Sequence, residues 1–283
     1  MTRSVRGTRR PSRTSRTLRV TGAGAAALLA LSACSSSSDA HTDSAADSAG
    51  SSSSASAEVS GQVTVFAAAS LKESFTALGE TFEKQHPGTR VTFNFAGSDS
   101  LAASITSGAP ADVFASASPK TMATVTDAGA AAGTPSTFVR NQLQIATLPG
   151  NPDKISSLKD LTASGLKVVL CDRTVPCGAA AQKALEGGGL ELTPVSYEQD
   201  VKAALTKVEL KEADAAVVYR TDVKAAGDKV AGVDFPESAE AVNDYPITLL
   251  KESPNADAGK AFIELVKSAE GQKELTEAGF RTP

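Results

Sequence analysis

From about residue 62 onwards, apolar residues follow two alternating patterns. Short, nearly continuous apolar runs of strand length, such as 62–66, are followed by stretches in which apolar residues recur every three to four positions. Phe75, Leu78 and Phe82, for example, fall on one face of a predicted helix. The predicted strands are 62–66, 90–95, 112–115, 139–147, 166–170, 215–219 and 245–250, and the predicted helices are 70–85, 98–107, one opening at 118, 178–185, 201–211, 256–268 and 271–278.

This alternation of strands and helices occurs twice, before and after the predicted strand 139–147. Two such units joined by crossing strands predict an α/β protein of two lobes, each a mostly parallel sheet flanked by helices, with a ligand cleft between them. We expect residues 61–143 and 225–283 to form the first lobe. Residues 144–224 then form the second lobe.

The first 34 residues have the pattern of an export signal. Seven arginines within 3–19 precede an apolar run at about 20–31, which is too short to span a bilayer as a mature helix. The sequence Leu-Ser-Ala-Cys at 31–34 resembles the lipobox of bacterial lipoproteins, in which cleavage leaves a lipidated cysteine. We therefore expect residues 1–34 to be a lipoprotein signal with Cys34 as the lipid attachment site; the alternative is an ordinary signal that happens to precede a cysteine.

Serine dominates residues 35–60, where it accounts for 12 of 26 positions and Val59 is the only apolar residue larger than alanine. Such a segment cannot bury enough apolar surface to offset its ordering entropy, so we expect a disordered tether. For the chain as a whole, 41% hydrophobic and 21% charged residues are typical of a globular protein. A net charge of −4 and a pI near 5.4 argue against a nucleic-acid partner, since many of the arginines lie in the signal.

Two strand-to-helix turns place a serine where a helical pattern begins. They are Phe-Ala-Ala-Ala-Ser-Leu at 66–71 and Ala-Gly-Ser-Asp-Ser-Leu at 96–101. Ser70 with Glu73 fits a capping box, so each serine could simply cap its helix. Because neighbouring parallel strands point their carboxyl ends at one crevice, Ser70 and Ser98 also predict an anion site built from hydroxyls and free helix N–H groups.

Together with Gly-Ala-Pro-Ala-Asp at 108–112, these turns resemble the molybdate-binding proteins of ABC importers, which have the type II periplasmic-binding-protein fold. Val-Pro-Cys-Gly at 175–178, Asp-Val at 200–201 and Val-Val-Tyr at 217–219 fit the same family, and the likeness covers about 62–280. The resemblance implies an extracytoplasmic solute-binding component that captures molybdate, or tungstate, and delivers it to a membrane permease. It implies no enzymatic activity and no cofactor.

The resemblance also implies which residues hold the oxyanion. In the family the ligand is bound by two serine hydroxyls, a tyrosine hydroxyl and backbone N–H groups, with no direct cation ligands. Carried onto this sequence, the binding residues are Ser70, Ser98, Cys177, Val201 and Tyr219, with Ala117 as an additional backbone contact. Structural roles remain open for each of them, since Val201 is also an apolar helix residue and Tyr219 could line a rim.

Cys177 occupies a position where family members often have alanine, an exchange that a backbone donor tolerates. Cys171, at the end of the preceding predicted strand, could pair with it in an oxidising compartment. Only five residues separate the two cysteines, so the geometric demand is tight. A disulfide and two buried thiols therefore both remain open.

The implied binding set contains hydrogen-bond donors only. Protonated phosphate keeps an O–H that needs an acceptor, and leaving this proton unpaired in a buried site costs about 1–3 kcal/mol. Molybdate, tungstate and sulfate are all fully deprotonated dianions, so donors alone cannot separate them. The preference for molybdate comes from the resemblance.

Alternative functions use the same residues. A membrane-anchored hydrolase would use Ser70 as its nucleophile, but a triad needs a base, and His41 and His86 lie in the tether and at the far end of the predicted helix. The same fold could also bind another oxyanion such as sulfate. Scattered tyrosines argue against ferric iron, and the lack of a charged clamp argues against an amino acid. We expect a monomer, lipid-anchored at the extracytoplasmic face of the membrane, with the bilayer and the permease as partners.

Overall fold

The computed structural model describes residues 59–283; the predicted signal, Cys34 and nearly all of the predicted tether lie outside this range. The strands are β1 Gly61–Ala68, β2 Thr89–Ala96, β3 Val113–Ala115, β4 Ser136–Asn141, β5 Leu143–Thr147, β6 Val168–Cys171, β7 Ser196–Glu198, β8 Ala215–Tyr219, β9 Ala231–Val233 and β10 Asn243–Leu249. The helices are α1 Lys72–Gln85, α2 Ser98–Thr106, α3 Pro119–Asp127, α4 Pro176–Gly187, α5 Val201–Glu209, α6 Arg220–Ala226, α7 Ala256–Lys267 and α8 Ala269–Glu277. Within the described residues no helix is long and apolar enough to cross a membrane.

The strands form two sheets with the same layout. The first has the order β2-β1-β3-β10-β4 and the second the order β7-β6-β8-β5-β9. In each sheet three neighbouring strands are parallel, and the fourth, β10 or β5, runs antiparallel to both of its neighbours. The chain is thus an α/β protein with two lobes, as the sequence predicts.

Apolar helix faces anchor the helices that lead to the cleft. In α1, Phe75, Leu78 and Phe82 are buried, and Phe75 and Phe82 pack edge-on against Phe262 of α7. Burial of each such side chain stabilises the fold by about 1.5–3 kcal/mol. This packing fixes α1 on the first sheet and so holds its N-terminus just beyond the end of β1.

The sequence pattern merges the two strands at the first crossing between the lobes and places the second crossing too early. The predicted strand 139–147 is two strands that pair in different sheets, and the chain crosses between them at Gln142. The chain also returns later than residue 225, because β9 pairs with β5 in the second sheet and Phe235 is buried in the second lobe's core. Strands of three residues, such as β7 and β9, are too short to show a periodic pattern, which explains both their omission and the misplaced boundary.

Candidate functional site

The predicted first-lobe residues follow the carboxyl ends of parallel strands. Ala68 and Ala96 pair across β1 and β2, and Ser70 and Ser98 each lie two residues farther along the chain. Ala117 likewise follows the end of β3 by two residues. Strand register therefore brings three turns to one level of the sheet edge.

The second lobe repeats this arrangement. After β6 the chain enters α4, whose second residue is Cys177; after β7 it enters α5, whose first residue is Val201. Tyr219 is the last residue of β8. The first N–H groups of a helix have no partner within the helix, so Cys177 and Val201 can offer theirs to a ligand.

Residues from both lobes line one cavity of about 20 Å³. Its lining includes all six predicted residues, namely Ser70, Ser98, Ala117, Cys177, Val201 and Tyr219. Each of them is buried. The structure thus brings together side chains and N–H groups that are up to 149 residues apart in sequence, from Ser70 to Tyr219.

The two serines do not act as helix caps. Ser70 lies in a 3-10 turn, Ala69–Leu71, and its hydroxyl lies 2.8 Å from the hydroxyl of Tyr245, so the capping box with Glu73 does not form. Ser98 is the first residue of α2, and its Oγ accepts the Ala117 N–H at 2.9 Å. Ala117, the expected additional backbone contact, donates its N–H to Ser98 in this arrangement, and its contact with the ligand stays a prediction.

Tyr219 contributes an unpaired buried hydroxyl. Its side chain is 1% exposed, and its Oη has no hydrogen-bond partner within residues 59–283. Burial, with smaller contributions from Tyr245 and Asp222, raises the pKa of Tyr219 well above its ordinary value, so the phenol stays protonated at neutral pH. A buried donor without an acceptor is costly, and an anion in the cavity would supply the acceptor.

The electrostatics of the cavity come mainly from helix N-termini. Helices α2, α4 and α5 begin at the lining, and each N-terminus carries about half a positive charge. Lysine and arginine are absent from the lining residues. Asp200 does line the cavity, which the donor-only expectation did not include; its carboxylate accepts the Ala203 N–H and so caps α5.

Two ion pairs of Lys202 next to the cavity link the lobes; Asp222 is buried, whereas Glu73 is half-exposed. Lys202 Nζ lies 2.8 Å from Glu73 Oε2 in the first lobe and 3.0 Å from Asp222 Oδ1 in the second. Burial raises the pKa of Asp222 to about 6, against the lowering effect of Lys202 and of the Tyr219 N–H. The pairs with Asp222 and Glu73 raise the pKa of Lys202 despite its burial.

Two glycines allow close approach at the cavity. A Cβ on Gly97 would lie 2.7 Å from the Gln199 carbonyl oxygen of the other lobe, and a Cβ on Gly178 would lie 1.8 Å from the Asp172 carbonyl oxygen of its own lobe. Gly97 therefore permits contact between the lobes. Gly178 permits the tight turn before α4.

A disulfide joins Cys171 and Cys177 in this structure, with their Cα atoms 5.8 Å apart. It ties the end of β6 to the first turn of α4. The side chain of Cys177 is therefore bonded to Cys171 within the second lobe, and Cys177 still lines the cavity.

Sequence reasoning missed Tyr245 and Asn141, which contact each other beside Ser70. Asn141 Nδ2 donates to Tyr245 Oη at 3.3 Å and to Thr221 Oγ1 at 2.9 Å. Neither residue lies in a motif, although the end of β4 beside a lobe crossing is a place where buried polar side chains could have been sought.

The geometry does not support hydrolysis by Ser70. The residue at hydrogen-bond distance from its hydroxyl is Tyr245, whereas His86 follows the last residue of α1, roughly 20 Å away at 1.5 Å per helical residue. The described residues also contain no cluster of three or more histidine, cysteine, aspartate or glutamate side chains suited to a metal ion.

Comparisons with known proteins agree with this geometry. A family model described as bacterial extracellular solute-binding protein matches residues 63–281. Molybdate-binding protein ModA of Mycobacterium tuberculosis is 44% identical over 221 residues, covering 78% of this chain and 85% of that protein. Molybdate-binding protein ModA of Escherichia coli is 33% identical over 230 residues, covering 78% and 89%. The solved structure of the Azotobacter vinelandii periplasmic molybdate-binding protein matches with a TM-score of 0.69 at 21% identity, covering 78% and 99%. The chain belongs to the family of bacterial extracellular solute-binding proteins.

Proposed function

We propose that the protein captures molybdate outside the cytoplasmic membrane and delivers it to the permease of an ABC importer, with tungstate as a second ligand. The observation that carries this proposal is the convergence of donors from both lobes on one buried cavity, whose lining by residues 59–283 contains no lysine or arginine. Asp200 is the acidic residue in this lining, and its Oδ1 is engaged by the Ala203 N–H as the cap of α5. The hydroxyl and N–H donors of the cavity suit a fully deprotonated dianion. The similarity to molybdate-binding relatives supports molybdate among these dianions.

In this proposal the hydroxyls of Ser70, Ser98 and Tyr219 and the N–H groups of Cys177 and Val201 bind the oxyanion. Charge-assisted hydrogen bonds contribute about 1.5–3 kcal/mol each, so five of them can supply the more than 8 kcal/mol that sub-micromolar binding requires. The role is binding, and Ser70 does not act as a nucleophile.

The remaining parts of the chain fit an anchored carrier. We propose that Cys34 is lipidated and that residues 35–60 tether a monomeric two-lobed domain to the extracytoplasmic face of the membrane. The permease would then recognise the lobes closed around the anion.

Calorimetric titration with molybdate, tungstate, sulfate and phosphate tests the ligand. Molybdate and tungstate should bind with Kd below about 1 µM, more tightly than the other two anions. Failure of both to bind below about 10 µM would overturn the proposal. Tighter binding of sulfate would assign the site to sulfate instead.

Ser98→Ala tests the site itself. Loss of its hydroxyl should weaken molybdate binding about tenfold or more without unfolding the protein, although the unfolding temperature should fall somewhat because the Ala117 N–H loses its acceptor. Ser104→Ala is the matched control, because Ser104 is an exposed serine on the same helix. An unchanged affinity in Ser98→Ala would remove this residue from the site.

A further inference from the structure

A chain of buried hydrogen bonds leads from Ser70 to the crossing between the lobes. Ser70 Oγ lies 2.8 Å from Tyr245 Oη, which accepts the Asn141 amide N–H at 3.3 Å. Asn141 is the last residue of β4, and Tyr245 lies in β10. These hydrogen bonds therefore involve both strands of the first sheet that border the lobe crossings. Asn141 also donates to Thr221 in the second lobe.

The donor and the acceptor of each of these hydrogen bonds follow from the chemistry of the groups involved. Asn141 Oδ1 accepts the Gln142 N–H at 3.0 Å, so the amide nitrogen, which can only donate, faces Tyr245. Burial raises the pKa of Tyr245 above its ordinary value, and the phenol therefore keeps its proton. Ser70 Oγ lies 2.8 Å from Tyr245 Oη and can accept this proton.

We propose that Tyr245 and Asn141 are positioning residues that fix Ser70 as a hydrogen-bond donor towards the anion. Because Ser70 Oγ accepts from Tyr245, the serine's own proton is free for the ligand. Ser98 is set in the same way, since its Oγ accepts the Ala117 N–H. Both first-lobe hydroxyls thus favour ligands without a proton, and hydrogen phosphate is disfavoured. This inference rests on the proposed function and names the residues that would enforce its selectivity.

Tyr245→Phe tests this positioning role because it removes the phenol hydroxyl and keeps the ring that packs against Tyr219 and Phe280. Titrations at pH 8 with molybdate, sulfate and hydrogen phosphate should show about a three- to tenfold loss of affinity for the first two. Hydrogen phosphate should lose less or bind more tightly, because the released Ser70 hydroxyl can turn and accept its proton. Tyr197→Phe is the matched control, since it removes a phenol hydroxyl from an exposed tyrosine.

An equal loss of affinity for all three anions would overturn the positioning role and leave Tyr245 a merely structural residue. Unchanged affinities for all three would overturn it as well. If Tyr245→Phe does not fold, Asn141→Ala removes the donor on the other side of the phenol, and the same shift in the ratio of molybdate to hydrogen phosphate affinity is expected. Wild-type protein in the same titrations separates the two proposals. If wild type binds no dianion, the proposed function is refuted. If wild type binds tightly and the variants keep the wild-type ratio of molybdate to hydrogen phosphate affinity, only the positioning role of Tyr245 and Asn141 is refuted.

Discussion

The two lobes present donors from equivalent places by different chemical means. In each lobe the predicted site residues lie at the ends of its three parallel strands or shortly after them. In the first lobe the predicted donors are the side-chain hydroxyls of Ser70 and Ser98, each in contact with a further polar group. In the second lobe two of the three are backbone N–H groups at helix starts, those of Cys177 and Val201.

This difference determines how each half of the site can be damaged. An alanine substitution deletes a hydroxyl donor, but it leaves a backbone N–H in place. Conventional alanine scanning would therefore detect the predicted binding residues of the first lobe and overlook most of those in the second. Only a residue without an N–H can expose the role of the helix starts.

Val201→Pro is expected to have the largest effect, because it removes the N–H and keeps the helix. Proline is favoured at the first helical position, and Asp200 before it is extended (φ −160°, ψ 172°), as a residue before proline prefers. We expect molybdate affinity to fall about 10- to 100-fold in calorimetric titration. Val201→Ala, which keeps the N–H, should bind nearly as tightly as wild type. Equal affinities in the proline and alanine variants would show that this N–H does not contact the anion.

Removing the disulfide should lower the stability of the second lobe without weakening molybdate binding. In the loop-entropy treatment, a bridge closing so short a loop contributes about 2 kcal/mol to the free energy of unfolding. Cys171→Ala with Cys177→Ala should lose about this much in denaturant unfolding, while molybdate affinity stays within about twofold because the N–H at 177 remains. Alkylation of both cysteines in denatured, unreduced wild-type protein would contradict the bridge itself.

Gly97→Ala should act on the contact between the lobes. Its φ of −58° is accessible to alanine, but the added Cβ would lie 2.7 Å from the Gln199 carbonyl oxygen across the cleft. We expect the lobes to be held apart, with molybdate affinity reduced about tenfold and the unfolding temperature nearly unchanged. Gly187→Ala, where the nearest atom to the Cβ is 3.8 Å away, is the control. Unchanged affinity in Gly97→Ala would mean that binding does not require this approach.

Much of the site follows from the sequence because strand ends and helix starts have local signals. The positions of Ser70, Ser98 and Val201 relative to strands and helices can be inferred from periodicity, and strand register then brings the two serines together. The Tyr245–Asn141 contact could not be inferred in this way, since it joins residues 104 apart in two strands whose register shifts between Tyr245 and Pro246. Such pairing depends on tertiary packing, for which a single sequence shows no pattern.

The smallest expected effect concerns pH and separates the charged network around Asp222 from the neutral network around Tyr245. Asp222 is fully buried against Lys202 and the Tyr219 N–H, with Glu73 beyond the lysine, and burial raises its pKa to about 6 from a model-peptide value of 3.8. Between these values the folded state binds more protons than the unfolded state. The contribution of Asp222 to stability is therefore fully present below pH 3.8 and is lost as the pH rises through 6.

Relative to Asp222→Asn, wild type should lose about 1 kcal/mol of unfolding free energy between pH 5 and pH 6, measured by denaturant titration at both pH values. Tyr245→Phe is the matched change in the neutral network: its phenol has a raised pKa and does not titrate in this range, so the cost of removing it should be the same at both pH values. If the difference between wild type and Asp222→Asn is also independent of pH, the Asp222 carboxylate does not titrate in this range, and the contrast between the two networks is wrong.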